Sequence, residues 1–514
     1  MNRIRCERMM SYRKKRTHII KEVFLVKKIK KTLALSLALA MGLSLAACGK
    51  DDDKKEDKTT EATTKATDAT QDTQATDVTT QATDDTQAPA ENSITSMDGK
   101  FTVSTDGWEK IYAYSWDDDF QKVLTVLENQ FPELKDYIEY VNLGVSGTGD
   151  EYKTGIDTAL TSGDKYPSLI PADNDVAKYW LEDASKTASL ASIGITDDMY
   201  ADAYNFSKGY ATYNGELRAA TWQGCPGVFT YRRDIAQEVF GVSEPADVQA
   251  LLKDWDSFFA AADKLKEAGK FIVSGPDDIK YAVWDSQKQP WVTIADDGSE
   301  KLTLDDAVTN YLELAKRLYD GDYTKKTSAW GSDWYANMSG DVLGYFGTTW
   351  FMGQIEGNCG DTFGNWAACT GPSPYHWGGT YVMVGKDTPN PDLCAFVIYE
   401  LCCDADLMYK LTTEKGDFVN NRVANAKLVE DGVAPMFDDG KSMVDMLGGQ
   451  NPIQAWADAA EGIDLSNTTY ADSTIKGYID AASTAYNTGE AATVDDAIAM
   501  IKKDAETNLG LIVE

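Results

Sequence analysis

The chain has 514 residues, with 82 Asp and Glu against 49 Lys and Arg, and a formal charge of −33 at pH 7. That excess argues against binding to nucleic acid and against electrostatic attachment to anionic lipid; it suits an exposed surface protein. Hydrophobic residues make up 43% and aromatics 11%, and the roughly 400 residues after position 100 exceed a single core and predict two lobes.

The N-terminus carries a long basic head with Arg3, Arg5, Arg13, Lys14, Lys15 and Arg16, then Val26-Lys27-Lys28-Ile29-Lys30-Lys31. An apolar run over 33–45 follows and closes on Leu45-Ala46-Ala47-Cys48. Positive head, short apolar core, small residues and a cysteine is the layout of an export signal with a lipidation site. The run is too short, and lysine-flanked on one side only, for a spanning helix. It resembles a bacterial lipoprotein signal. That resemblance implies that residues 1–47 are removed and that Cys48 carries the lipid. The protein is then expected outside the cell, anchored to the membrane by that lipid. The length of the head leaves two translation starts open, Met1 and one near Val26.

From Gly49 to about Asn92 the chain is Asp, Lys, Thr, Ala, Gln and Glu with almost no large apolar residue. Such a stretch cannot bury enough surface to offset its ordering entropy. Residues 48–98 are therefore expected to be a disordered linker, with a reach of roughly 40 Å as a flexible chain.

After Phe101 the pattern changes. A strand is expected over 111–116, then a helix over 120–131 with apolar Phe120, Val123, Leu124, Leu127 and Phe131, ended by Pro132. A strand at 137–143, a helix near 152–160, a strand at 168–171 and a helix around 176–181 follow. Strands and helices that alternate with short connections point to an α/β domain with a parallel sheet. Ligands of such sheets lie beyond the carboxyl ends of the strands. Those ends carry Trp116-Asp117-Asp118-Asp119 and Ala172-Asp173-Asn174-Asp175. The aspartates suit two roles, capping the next helix and touching a ligand.

Four further stretches carry a resemblance. They are Ile170-Pro171-Ala172-Asp173-Asn174-Asp175; Gly215 through Trp222, continuing from Gly227 to Ile235; Gly347-Thr348-Thr349-Trp350-Phe351; and Gly371 through Thr380. With Gly448-Gly449-Gln450-Asn451, their order resembles the extracellular solute-binding proteins (family 1) of carbohydrate ABC importers, the group that contains maltose-binding protein. The resemblance implies a two-lobed, periplasmic-binding-protein-like (type II) fold over 99–514. Lobe 1 is placed at about 99–224 and 380–438, and lobe 2 at about 227–378 and 440–514. The lobes are expected to be joined by crossings near 222–227 and 377–384. It also implies a carbohydrate ligand between the lobes, permease subunits of an importer as partners, and no catalysis. Cys225 falls about where maltose-binding protein carries a ligand-contacting acid, so that relative's ligand geometry does not transfer.

All thirteen tryptophans lie after position 100, and Trp222, Trp330, Trp350 and Trp377 sit in irregular, glycine-flanked segments. A pyranose presents an apolar C–H face and a hydroxyl edge, so its site needs flat aromatic platforms with a few fixed carboxylates and amides. The expected ligand-binding set is Trp116, Asp117, Asp173, Asn174, Trp222, Trp350, Trp377, Gly378 and Gln450. The resemblance gives Trp350 the stacking role. Trp180, Trp255 and Trp456 lie on helical faces and are assigned to packing.

Catalytic patterns are sparse. Past the signal the only histidine is His376, there is no Gly-Xaa-Ser-Xaa-Gly elbow or phosphate loop, and no metal or cofactor motif is read. A glycoside hydrolase needs only two carboxylates, so it stands as an alternative beside a surface polysaccharide-binding adhesin. Of the cysteines, Cys359 and Cys369 bracket a glycine-rich loop and are a candidate disulfide. Cys394, Cys402 and Cys403 read as buried small hydrophobes.

Overall fold

Strand Ile111–Ser115 is the centre of a four-stranded sheet, buried along almost its whole length. It runs parallel to Ile138–Asn142 on one side and to Pro167–Asp173 on the other. Strand Thr380–Val384 completes the sheet antiparallel to Pro167–Asp173 and places Thr380 opposite Asp173. Helix Asp119–Gln130 buries Phe120, Val123, Leu124 and Leu127, the predicted stripe, and stops before Pro132. Helix Asn174–Leu181 follows its strand directly, and helix Asp150–Ser162 follows Ile138–Asn142 after a short loop. The βα order expected from the apolar periods is present, with ends displaced by no more than a few residues.

The computed structural model describes residues 92–513. The export signal, Cys48, both candidate starts and the linker up to residue 91 lie outside the described residues. Residues 93–98, read as linker, are folded. Ser93–Thr95 pairs with Thr102–Ser104 and buries Ile94. The Met97 and Asp98 amides donate to Glu400 (3.0 Å) and Asp404 (2.8 Å) beyond the hairpin. One buried isoleucine among polar residues is too weak a signal to read from composition.

A second sheet is entirely antiparallel, with Val228–Arg232 between Gly344–Gly347 and Trp366–Cys369. Its core gathers Phe229, Phe346 and Phe258 with helices Trp255–Glu267, Asp306–Asp320 and Asp472–Thr488. Two segments connect the sheets and run antiparallel, bridged at Ala220 with Val382 and at Pro226 with His376. Beside them Gln223 is bridged to Val419. The Tyr375 ring lies flat against Gly227, where a Cβ would stand 2.0 Å from it. Only glycine fits there.

Cys359 and Cys369 are both buried free thiols, so the candidate disulfide is absent. Cys359 follows helix Met352–Asn358 and Cys369 ends a strand of the second sheet, and they belong to different apolar clusters. Among the described residues no helix is long and apolar enough to cross a membrane.

Candidate functional site

The carboxyl ends of Ile111–Ser115 and Pro167–Asp173 open onto a cavity of about 830 Å³. Trp116, Asp117 and Asp119 come from the first strand end, and Asp173 and Asp175 from the second. The connecting segments add Gln223, Trp377, Gly378, Gly379 and Thr380. The loop that follows Gly344–Gly347 supplies Thr349 and Trp350, and Trp330 stands beside them. This is a cleft between two sheets, at the place where open α/β sheets bind ligands. A second cavity, of about 900 Å³, lies along helix Asp306–Asp320 with Trp255 and Arg317 in its wall, away from the strand ends.

Aromatic rings build one wall. Trp330 and Trp350 are 44% and 38% exposed, the most exposed tryptophans among the described residues. Their rings are near-parallel, 12° apart in orientation and 6.2 Å between centroids. Trp377 stands edge-on to Trp350 at 4.9 Å and stacks on Tyr281 at 4.4 Å. The Trp350 indole N–H donates to the Trp377 carbonyl (3.2 Å), which fixes the ring. Trp330 holds φ at +70°, left-handed backbone that a bulky residue adopts only under constraint. Across the cleft, Trp116 meets Tyr152 edge-on at 5.5 Å and lies so close over Gly147 that a Cβ there would be 2.6 Å from the ring.

The acids have more than one task. Asp173 Oδ1 caps its helix by accepting from the Asp175 amide (2.9 Å), and Asp117 Oδ1 accepts from the Asp119 amide (2.9 Å). Burial, with Asp175 close by, pushes the Asp173 carboxyl up to about 7. Lys415 sits between Asp119 (3.0 Å) and Asp417 (2.9 Å). Burial by itself lowers that ammonium's pKa, but the two carboxylates outweigh it and hold the pKa above the ordinary range.

Six of the nine expected residues line the cleft: Trp116, Asp117, Asp173, Trp350, Trp377 and Gly378. Three do not. Trp222 is buried against Phe120, and its indole N–H donates to Asp417 (2.9 Å). Gln450 accepts from the Ala368 amide and donates to the Ala368 carbonyl, both at 2.8 Å, so its amide clamps a strand of the second sheet. Asn174 opens its helix, and its backbone N–H donates to Gly379 (2.9 Å). Sequence reasoning missed Tyr281, Gln223, Lys415 and Asp417, and it left Trp330 outside the set. The Trp330-Gly331 pair in an irregular segment was the available signal. His376 is buried behind the cleft, its amide on Asp285 (2.7 Å), and burial pulls its imidazole down to about 3.

These groups set a pH response. Burial lifts Glu400 to about 9, Asp173 and Asp278 each to about 7, and Asp472 to about 6. The folded chain therefore keeps protons that the unfolded chain has released, and stability falls as pH rises toward each folded value. His376 acts oppositely, adding stability as pH rises from about 3 to 6.5, and is complete above 6.5. Between pH 6.5 and 8.5 Glu400 keeps its proton while Asp173 and Asp278 release theirs, each retained proton amounting to about 1.4 kcal/mol per pH unit. The melting temperature should drop across that window; a flat or rising profile would contradict these protonation states.

The family model described as bacterial extracellular solute-binding protein matches residues 129–434, more than half of the chain. The chain belongs to this family. No curated protein matches it by sequence. Solved structures do match the solute-binding chain in fold. One, described as an extracellular solute-binding protein of family 1, has a TM-score of 0.66 at 16% identity, over 78% of this chain and 99% of its own. The galacto-N-biose/lacto-N-biose I-binding protein of a Bifidobacterium longum ABC transporter, solved with lacto-N-biose, has a TM-score of 0.59 at 16% identity, over 80% and 100%. An ABC-transporter-associated binding protein from B. animalis subsp. lactis Bl-04, solved with β-1,6-galactobiose, has 0.56 at 19% identity, over 79% and 99%. At these identities the likeness is one of fold, the two-lobed solute-binding architecture.

Proposed function

We propose that this solute-binding protein captures a mono- or oligosaccharide in the cleft and delivers it to the permease subunits of an ABC importer. The observation that carries this reading is the wall of Trp330, Trp350 and Trp377 facing Trp116, Asp117 and Asp173 across one cavity. Aromatic faces suit the C–H surface of a sugar ring and carboxylates accept its hydroxyls. Two of the solved relatives hold disaccharides, which supports the same class of ligand.

The mechanism is capture. A sugar that touches both lobes favours closure only by its differential affinity for the closed form, with bending in the connecting segments near 222–227 and 377–384. The lobe limits are about 99–224 with 380–438, and 227–378 with 440–514, and the hairpin 93–104 packs with the first of them. A lipid on Cys48 would hold this receptor at the outer face of the membrane, with the linker as its stalk.

A thermal-shift screen of the purified protein against mono- and oligosaccharides tests the reading. Ligand at a hundred times its dissociation constant stabilises the folded state by about 2.7 kcal/mol, a rise of a few degrees. Silence across the panel would remove the sugar. With a hit in hand, Asp117→Asn and Asp173→Asn should each weaken binding by about 1–3 kcal/mol, the scale of one hydrogen bond to a charged group. Unchanged calorimetric affinity in both would leave these aspartates with helix capping alone.

A further inference from the structure

We propose that the cleft selects glycans free of acidic groups and rejects those that carry carboxylate, sulfate or phosphate; this rests on the sugar-binding reading above. Eight carboxylates line the cavity and only one ammonium does. Four of the acids, Asp117, Asp119, Asp173 and Asp175, stand at the two strand ends, and Glu356, Asp417, Asp438 and Asp439 face them. Among the described residues no arginine lines it. The one lining lysine, Lys415, is already held between Asp119 and Asp417. Lys441 lies just outside and is bound to Glu356 and to Asp439 (2.8 Å). Lys122 lies 3.7 Å from Asp438 as well, so subtracting all three lysines leaves an excess of five acids around the ligand space.

The backbone reinforces the bias. A helix N-terminus is the usual place for a protein to receive an anion, and helix Asn174–Leu181 begins at the cleft. One of its first amides is met by the protein's own acid, since Asp175 N–H donates to Asp173. At the start of helix Asp119–Gln130 the Asp119 amide donates to Asp117. An anionic substituent would therefore meet carboxylates and find no unpaired lysine or arginine among the described lining residues. A hydroxyl, by contrast, is a donor, and each of these aspartates keeps a second oxygen to accept it. The forked donors of arginine and a free ammonium are the strong side-chain receivers of an anion, and the described residues of the cavity wall offer neither.

The test is calorimetric titration of the purified protein with matched saccharides. The neutral set is maltose, cellobiose, lactose and xylobiose. The acidic set is 6-sulfated lactose, glucuronate-bearing xylobiose and digalacturonate. The expected result is binding by at least one neutral sugar and at least tenfold weaker binding by its acidic counterpart. That gap should narrow between 20 mM and 300 mM NaCl, because screening weakens charge repulsion. An acidic glycan that binds as tightly as its neutral parent, or alone, overturns the selectivity and leaves the sugar reading intact. No response from any saccharide, with a refolding control to show active protein, defeats the sugar reading and this inference with it.

Discussion

Trp350→Ala should abolish the sugar-induced rise in melting temperature while leaving the ligand-free protein folded. Trp350 is 38% exposed and follows strand Gly344–Gly347 in a loop, so its removal opens no cavity in either core. What is lost is a platform already fixed in place, its indole N–H on Trp377 and its ring near-parallel to Trp330. Aromatic anchors that a ligand covers on binding commonly contribute about 2 kcal/mol or more. The affinity should therefore fall by about a hundredfold, roughly 2.7 kcal/mol. Trp350→Phe keeps a flat face and should recover part of it. Calorimetric titration of both variants decides the matter: wild-type affinity in the alanine variant would take Trp350 out of the site.

The second large effect lies at the connection between the sheets. Gly227→Ala would place a methyl group 2.0 Å from the Tyr375 ring. That ring cannot swing aside easily, because its one hydroxyl proton is shared between Val228 O (3.0 Å) and Gly347 O (2.9 Å). The backbone is equally fixed, since the Gly227 amide donates to the Tyr375 carbonyl (2.6 Å). Overpacking of this severity costs about 3 kcal/mol or more. Urea denaturation should show a large loss for Gly227→Ala, and the pair Gly227→Ala with Tyr375→Ala should lose less than the two single changes summed. Strict additivity would mean that the ring and the glycine do not obstruct each other.

The first sheet was legible in the sequence because its helices carry a complete apolar stripe and its strands stop at acid-rich loops. Phe120, Val123, Leu124 and Leu127 fall on one helix face, and all are buried. The second sheet was not, since Gly344–Gly347 and Trp366–Cys369 are four-residue strands buried on both faces, with no alternation to read. Their partner, Val228–Arg232, lies over a hundred residues away from either. The site was half legible for a related reason. Residue type and loop context select Trp116, Asp173 and Trp350, but the same criteria select Trp222 and Gln450. Those two are distinguished only by their partners, Asp417 and the Ala368 backbone, which local sequence does not name. Lys415 and Asp417 reach the cleft from the C-terminal end of helix Ala405–Lys415, beyond any local pattern.

Strand Thr380–Val384 begins where the second connecting segment ends, and Thr380 is paired with Asp173. Asn174 adds a hydrogen bond to Gly379, the residue just before it. If the proposed function holds, the carboxylate that faces the ligand and the glycines of the second connecting segment are thus stitched into one piece of backbone. Grip and motion would then share a single part. A change that stiffens Gly378–Gly379 would retune how tightly the ligand is held through the hinge as well as through the cleft wall, and a better-fitting ligand would reset the resting angle of the hinge.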